Sequence, residues 1–269
     1  MTIKRVLLPL AGTDIPEPLA ACAFQIARSH QAQVQALVLQ RQLLEFGDPA
    51  ESSDHLADLV EEAQEEREKA LSALAAPYQP LELGVSVDSG DIGRVVAHAA
   101  RLSDIAIVGA GARYGEGQWR DIRDAALFQS GRPVIVAPRT GLEASAFDRV
   151  VIAWKESIEA ARAVAAAQPF LRQAREVHIL AIGESDAMAA SLQDVERYLQ
   201  LHYSEVRSEV IPQDLREDVT DTLLDRAQAL GDALLVMGAY SHWRWREQIF
   251  GGVTEAMLAR ARSPVLMAH

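Results

Sequence analysis

The sequence predicts an α/β protein built from two tandem five-stranded parallel-sheet domains of Rossmann-like type, and three observations carry that prediction. Matched blocks recur in the same order: Arg5-Val6-Leu7-Leu8-Pro9-Leu10-Ala11 with Arg149-Val150-Val151-Ile152-Ala153-Trp154-Lys155, Ser103–Gly109 with Gly231–Gly238, and Arg132–Pro138 with Ser263–His269. Such ordered repetition points to duplication of one unit. Within each copy, short apolar runs alternate with amphipathic stretches, which is the pattern of a parallel sheet with right-handed crossovers and helices on both faces. The repeat also divides the 269 residues into two domains, expected at 1–140 and 148–269, each near the commonest domain size. A pseudo-twofold axis is expected to relate them.

The first copy opens with Ile3–Leu10, a continuous apolar run of the kind found in a buried parallel strand. Gly12-Thr13-Asp14 then turns the chain into a helix over Glu17–His30, where Leu19, Cys22, Ala23, Ile26 and Ala27 share one face. Val34–Leu39 reads as the second strand. Pro49–Ala75 is the longest helical pattern, with Leu56, Leu59, Val60, Ala63, Leu71 and Leu74 on one side. Glu61, Glu62, Glu65, Glu66, Arg67, Glu68 and Lys69 make its opposite, solvated face. Leu81–Val87 alternates as a strand, Ile92–Leu102 is an amphipathic helix, Ile105–Val108 a strand, Asp121–Gln129 a helix and Val134–Ala137 the closing strand. Gly141–Phe147 is the linker. The second copy repeats the order, with strands at Val150–Trp154, Glu176–Ala181, Glu205–Ile211, Ala233–Met237 and Val265–Ala268. Its helices fall at Glu159–Arg172, Asp186–His202, Val219–Leu230 and Gly252–Arg262. The two closing strands are apolar and end their repeats, so they are the expected junction between the copies, covering an edge that would otherwise invite stray pairing.

Composition removes several function classes. A formal net charge of −12 and a pI near 5.1 oppose a nucleic-acid backbone and an anionic membrane surface. No stretch approaches the ~18 apolar residues of a membrane span. The single cysteine, Cys22, falls in an apolar helical pattern and reads as a buried, inert thiol. With no disulfide framework and no secretion-signal pattern, the expected location is the cytoplasm. His98, His178, His202 and His242 form no ligand set with cysteines or carboxylates, so no metal site is expected. Ser157 and Ser185 lack the hydrolase elbow, and neither repeat carries a phosphate-binding Gly-x4-Gly-Lys-(Ser/Thr) segment.

One loop carries chemistry. Gly238 to Thr254 joins the fourth strand of the second copy to its last helix. Glycines at its two ends allow backbone N–H groups to approach a ligand, and the helix start at Gly252 adds free N–H groups and the positive end of its dipole. Arg244 and Arg246 add guanidinium groups suited to anionic oxygens. Trp243 and Trp245 alternate with them. A lid or a dimer contact accounts for these tryptophans more simply than base stacking does.

Here the chain resembles the universal stress proteins in their tandem form, along nearly its whole length. The resemblance implies an adenine nucleotide alpha hydrolase-like fold in each half. It also implies Gly-x2-Gly-x9-Gly-(Ser/Thr) after the fourth strand, wrapped on the phosphates of ATP. Gly238 and Gly251 match the first and third glycines, Ser241 replaces the second, and Gly252 stands at the final position, with Thr254 two residues on. The family's aspartate after the first strand is replaced by Ala11 in the first copy and Lys155 in the second. In the first copy, Gly109-Ala110-Gly111-Ala112-Arg113-Tyr114-Gly115-Glu116-Gly117 has the wrong spacing, and this domain is expected to be structural. The implied site of the second domain is Ala153, Lys155, Gly238, Ser241, Arg244, Gly251, Gly252, Val253 and Thr254, taking ATP, ADP or another phosphorylated small molecule. The implied role is a stress-response binding module, with the two halves as an intramolecular pseudo-dimer and homodimerisation open. A ligand-free interaction protein with an unknown protein partner, and a weak nucleotide hydrolase, stand as alternatives.

Overall fold

The computed structural model of the chain describes residues 2–12, 14–39, 53–88, 90–142, 147–212, 218–231, 233–239 and 252–269. By compactness the chain divides into Thr2–Arg132 and a unit running from Pro133 to His269. The strand Val134–Ala137 closes the first repeat in sequence but is counted with the second unit.

In the first unit the elements run β1 (Arg5–Ala11), α1 (Glu17–His30), β2 (Gln33–Leu39), α2 (Ser53–Ala75), β3 (Leu83–Asp88), α3 (Ile92–Arg101), β4 (Ile105–Gly109) and α4 (Gly117–Gln129). The strands stand in the order β3-β2-β1-β4 and are all parallel, with Val6 opposite both Val34 and Ile105, and Val34 opposite Leu83. Leu7, Leu8, Leu10, Ile105 and Ile107 are fully buried, as central strands covered on both faces require. The face of α1 predicted from its spacing is the buried one, Cys22 included. On α2, Leu71 is buried while Glu61, Glu62, Glu65, Glu66 and Glu68 are exposed. Predicted to begin at Asp121, α4 begins one turn earlier. Gly117 reads as loop, yet Arg120 N–H donates to Glu116 O at 3.2 Å, and the Trp119 ring meets Tyr114 edge-on at 5.0 Å.

The second unit comprises β5 (Val134–Ala137), β6 (Arg149–Ala153), α5 (Ile158–Ala166), α6 (Gln168–Leu171), β7 (Glu176–Ile182), α7 (Asp186–Gln200), β8 (Val206–Ile211), α8 (Val219–Ala229), β9 (Leu234–Gly238), α9 (Gly252–Arg260) and β10 (Val265–Ala268). Their order is β5-β10-β9-β6-β7-β8. All neighbours are parallel except β5 and β10, which pair antiparallel with Val265 opposite Val136 and Met267 opposite Val134. The expected pairing of the two closing strands is thus present. The predicted helix Glu159–Arg172 is broken into α5 and α6, because Pro169 has no N–H to continue the ladder past Ala167. Ser157, Ser185 and Asp218 cap α5, α7 and α8, each accepting a backbone N–H with its side-chain oxygen.

Candidate functional site

Ligands of parallel α/β sheets sit beyond the carboxyl ends of the strands, where the chain order reverses. In the second unit that reversal falls between β6 and β9. Ala153 ends β6 opposite Met237, so Gly238 lies one residue beyond it at the end of β9. Ala153 and Gly238 are half-buried, and Lys155, two residues past β6, is exposed. Gly252 opens α9, and no atom of the described residues lies within 4 Å of where a Cβ would be. Val253 is half-buried, and Thr254 is buried within the first turn. Gly252, Val253 and Thr254 form the first turn of α9, at the positive end of its dipole. Ser241, Arg244 and Gly251, with Arg246 and both tryptophans of the loop, lie outside the described residues.

Gly238 has a reason to be glycine that owes nothing to a ligand. A Cβ there would lie 2.6 Å from the Ala160 nitrogen, 2.7 Å from the Glu159 carbonyl carbon and 2.8 Å from the Glu159 Cβ. The first turn of α5 therefore packs directly on the end of β9. It can do so because α5 starts early. Ile158 lies nine residues past Arg149, whereas Glu17 lies 12 past Arg5, a difference close to one helical turn.

In the first unit that covering is supplied by another group. A Cβ on Gly109, the counterpart of Gly238, would lie 2.2 Å from the Tyr114 ring. Tyr114 in turn meets Trp119 edge-on, the Arg113 guanidinium sits 5.9 Å from the Trp119 ring centre, and Arg113 pairs with Asp14. Burial pushes the Tyr114 hydroxyl up, partly offset by Arg113. The connection from β4 to α4 spans residues 110–116, seven residues, while that from β9 to α9 spans 239–251, thirteen. The short connection folds onto its own glycine.

Residue spacing did not reveal Trp154. Its backbone N–H donates to Leu180 O at 2.7 Å, and its indole N–H donates to the Ser191 hydroxyl on α7 at 3.1 Å. The indole thus stands fixed on the β7 side of the crevice. The only available signal was a tryptophan at the end of the apolar run Val150–Trp154, one residue past the observed strand. Elsewhere, His178 lies 3.1 Å from Glu176, and that hydrogen bond is the main cause holding the Glu176 carboxyl below its usual range. Among the described residues no cluster of histidine, cysteine and carboxylate groups could hold a metal ion, and no helix is long and apolar enough to cross a membrane.

No protein-family model matches the chain, and no curated protein sequence matches it. Solved structures do. A universal stress protein from Archaeoglobus fulgidus superposes with a TM-score of 0.68 at 16% identity, covering 98% of this chain and 95% of that one. A functionally unknown protein from Pseudomonas aeruginosa gives 0.57 at 17% identity, over 99% and 92%. The cytoplasmic domain of a prokaryotic cation chloride cotransporter gives 0.50 at 13% identity, over 98% and 95%. The chain thus has the universal stress protein fold along its length, as its repeated motifs led us to expect.

Proposed function

We propose that this chain is a cytoplasmic stress-response binding module of universal stress protein type, with its ligand site in the second unit and a structural first unit. The proposed ligand is a phosphorylated small molecule, with ATP or ADP the first candidates. The phosphates would lie at the start of α9, over the turn formed by Gly252, Val253 and Thr254. Ala153, Lys155 and Gly238 would form the strand-end side of the site. Ser241, Arg244 and Gly251 would complete it from the loop.

One observation supports this reading above the rest. The end of β4 is covered by Tyr114 through a seven-residue connection, whereas a thirteen-residue connection leads from β9 to Gly252, whose Cβ position meets no atom of the described residues within 4 Å. Backbone can approach an anion at Gly252, which carries no Cβ of its own. Lys155 stands where the resemblance implies a carboxylate, which favours ligands of higher negative charge. No residue of the described site stands as a general base or nucleophile beside a phosphate, so the role proposed is binding.

A second reading also has an observation in its favour. Gly238 is explained by the first turn of α5, so this glycine would be retained by a protein that binds no ligand and acts through its surface. A thermal-shift series with ATP, ADP and pyrophosphate separates the two readings, because a ligand that binds only the folded state at 100 times its Kd adds about 2.7 kcal/mol. A shift that Gly252→Val removes supports the site. The absence of any shift with all three ligands leaves the interaction reading standing. Lys155→Asp is expected to strengthen ATP binding while weakening more highly charged ligands.

A further inference from the structure

A second cleft lies in the same unit, away from the strand ends that carry the proposed nucleotide site. Its volume is about 740 Å³, within the range of small-molecule pockets. The segment following β5 supplies Arg139 and Thr140, α8 supplies Gln228, and the end of α9 with the turn into β10 supplies Arg260 and Arg262. It therefore opens beside the amino end of β10, whereas Ala268, at the carboxyl end, pairs with Gly238. In a chain of net charge −12, the described residues that line it include three arginines and no carboxylate.

The three arginines differ in what they have left to offer. Arg260 is committed: it donates to both carboxylate oxygens of Asp221 at 3.1 and 2.9 Å and to Asp218 at 2.9 Å, tying the end of α9 to the start of α8. Arg262 makes one longer contact, 3.4 Å to Asp225, with both side chains more than half exposed. Such a pair is weak and screened. Arg139 is exposed. Two guanidinium groups thus remain to take an anion, and paired N–H donors suit the oxygens of a phosphate. Met257 O accepts the Ala261 N–H at 2.9 Å, and the carbonyls after it, at the end of α9, would accept hydroxyl groups, as would Thr140 and Gln228.

We propose that this cleft binds a small phosphorylated polyhydroxyl compound of the sugar-phosphate class, with Arg139 and Arg262 on the phosphate and the end of α9 on the hydroxyls. Titration calorimetry with a hexose 6-phosphate and with inorganic phosphate tests it. The hexose phosphate should bind more tightly than phosphate alone. The Arg139→Ala/Arg262→Ala variant should weaken it about tenfold or more, as loss of charged hydrogen bonds implies. Both side chains are exposed enough for the variant to fold, and its melting temperature provides the check. Gly252→Val should leave this binding unchanged while removing any binding at the start of α9, so the two sites fail independently. Absence of hexose phosphate binding to the wild-type chain, affinity equal to that of inorganic phosphate, or binding indifferent to the double variant would each overturn the proposal.

Discussion

Replacing Gly238 with alanine should destabilise the second unit even when no ligand is present. The new methyl carbon would sit 2.6 and 2.7 Å from two backbone atoms of α5, the Ala160 nitrogen and the Glu159 carbonyl carbon. No rotamer change relieves a backbone contact, so the first turn of α5 would have to retreat by roughly 0.8 Å to restore ordinary separation near 3.4 Å. Overpacking of this kind costs about 1–3 kcal/mol. For a unit of this size that lowers Tm by roughly 3–10 °C. Gly252→Ala is the matched control, since its Cβ meets no atom of the described residues within 4 Å and it stands at a helix start. There the lost chain entropy of the unfolded state should leave stability unchanged or raise it by up to about 1 kcal/mol, so that Tm stays level or rises slightly. Thermal unfolding followed by circular dichroism in nucleotide-free buffer reads both. A Gly238→Ala protein melting with the wild type would refute helix packing as the reason for this glycine.

Gly109→Ala should cost about 1–3 kcal/mol through its clash with the Tyr114 ring, and almost nothing further once Tyr114→Ala has removed the ring. Denaturant unfolding of the four proteins in this cycle measures the coupling. The hydrogen bond from Arg260, then that from the Thr220 N–H, holds the Asp218 carboxyl below its usual value of 3.8. A depressed carboxyl contributes stability above its unfolded-state value and loses it as pH falls through the lower folded value. Asp218→Asn should therefore melt below the wild type at neutral pH, and the difference should close as pH drops below 3.8. Cys22 is fully buried, and burial pushes its thiol up, so a thiol reagent should label it only after unfolding.

The fold was largely legible because each central strand announces itself. Val134–Ala137 and Val265–Ala268 were found at their observed bounds, as short apolar runs behind Arg-Pro and Ser-Pro breaks. Helix α1 was found end to end, because a polar turn leads into apolar residues at unbroken helical spacing. Boundaries failed where tertiary contacts override local signals. The early start of α4 rests on Trp119 packing on Tyr114, and the break after α5 rests on the position of one proline. The site was less legible. Glycine spacing located the ends of the loop but could not tell the two roles of its glycines apart. Gly238 is small because a helix start lies on it, whereas the Cβ position of Gly252 meets no atom of the described residues. The Tyr114 covering was equally hidden, since a tyrosine in a glycine-rich loop carries no sequence mark of where its ring will lie.

Hydrogen exchange with and without saturating ATP addresses the division of roles between the two units most directly. Protection is expected in peptides covering 153–157 and 238–256, with peptides covering 109–117 unchanged. Protection over 109–117, or none in either unit, would contradict a ligand site confined to the second.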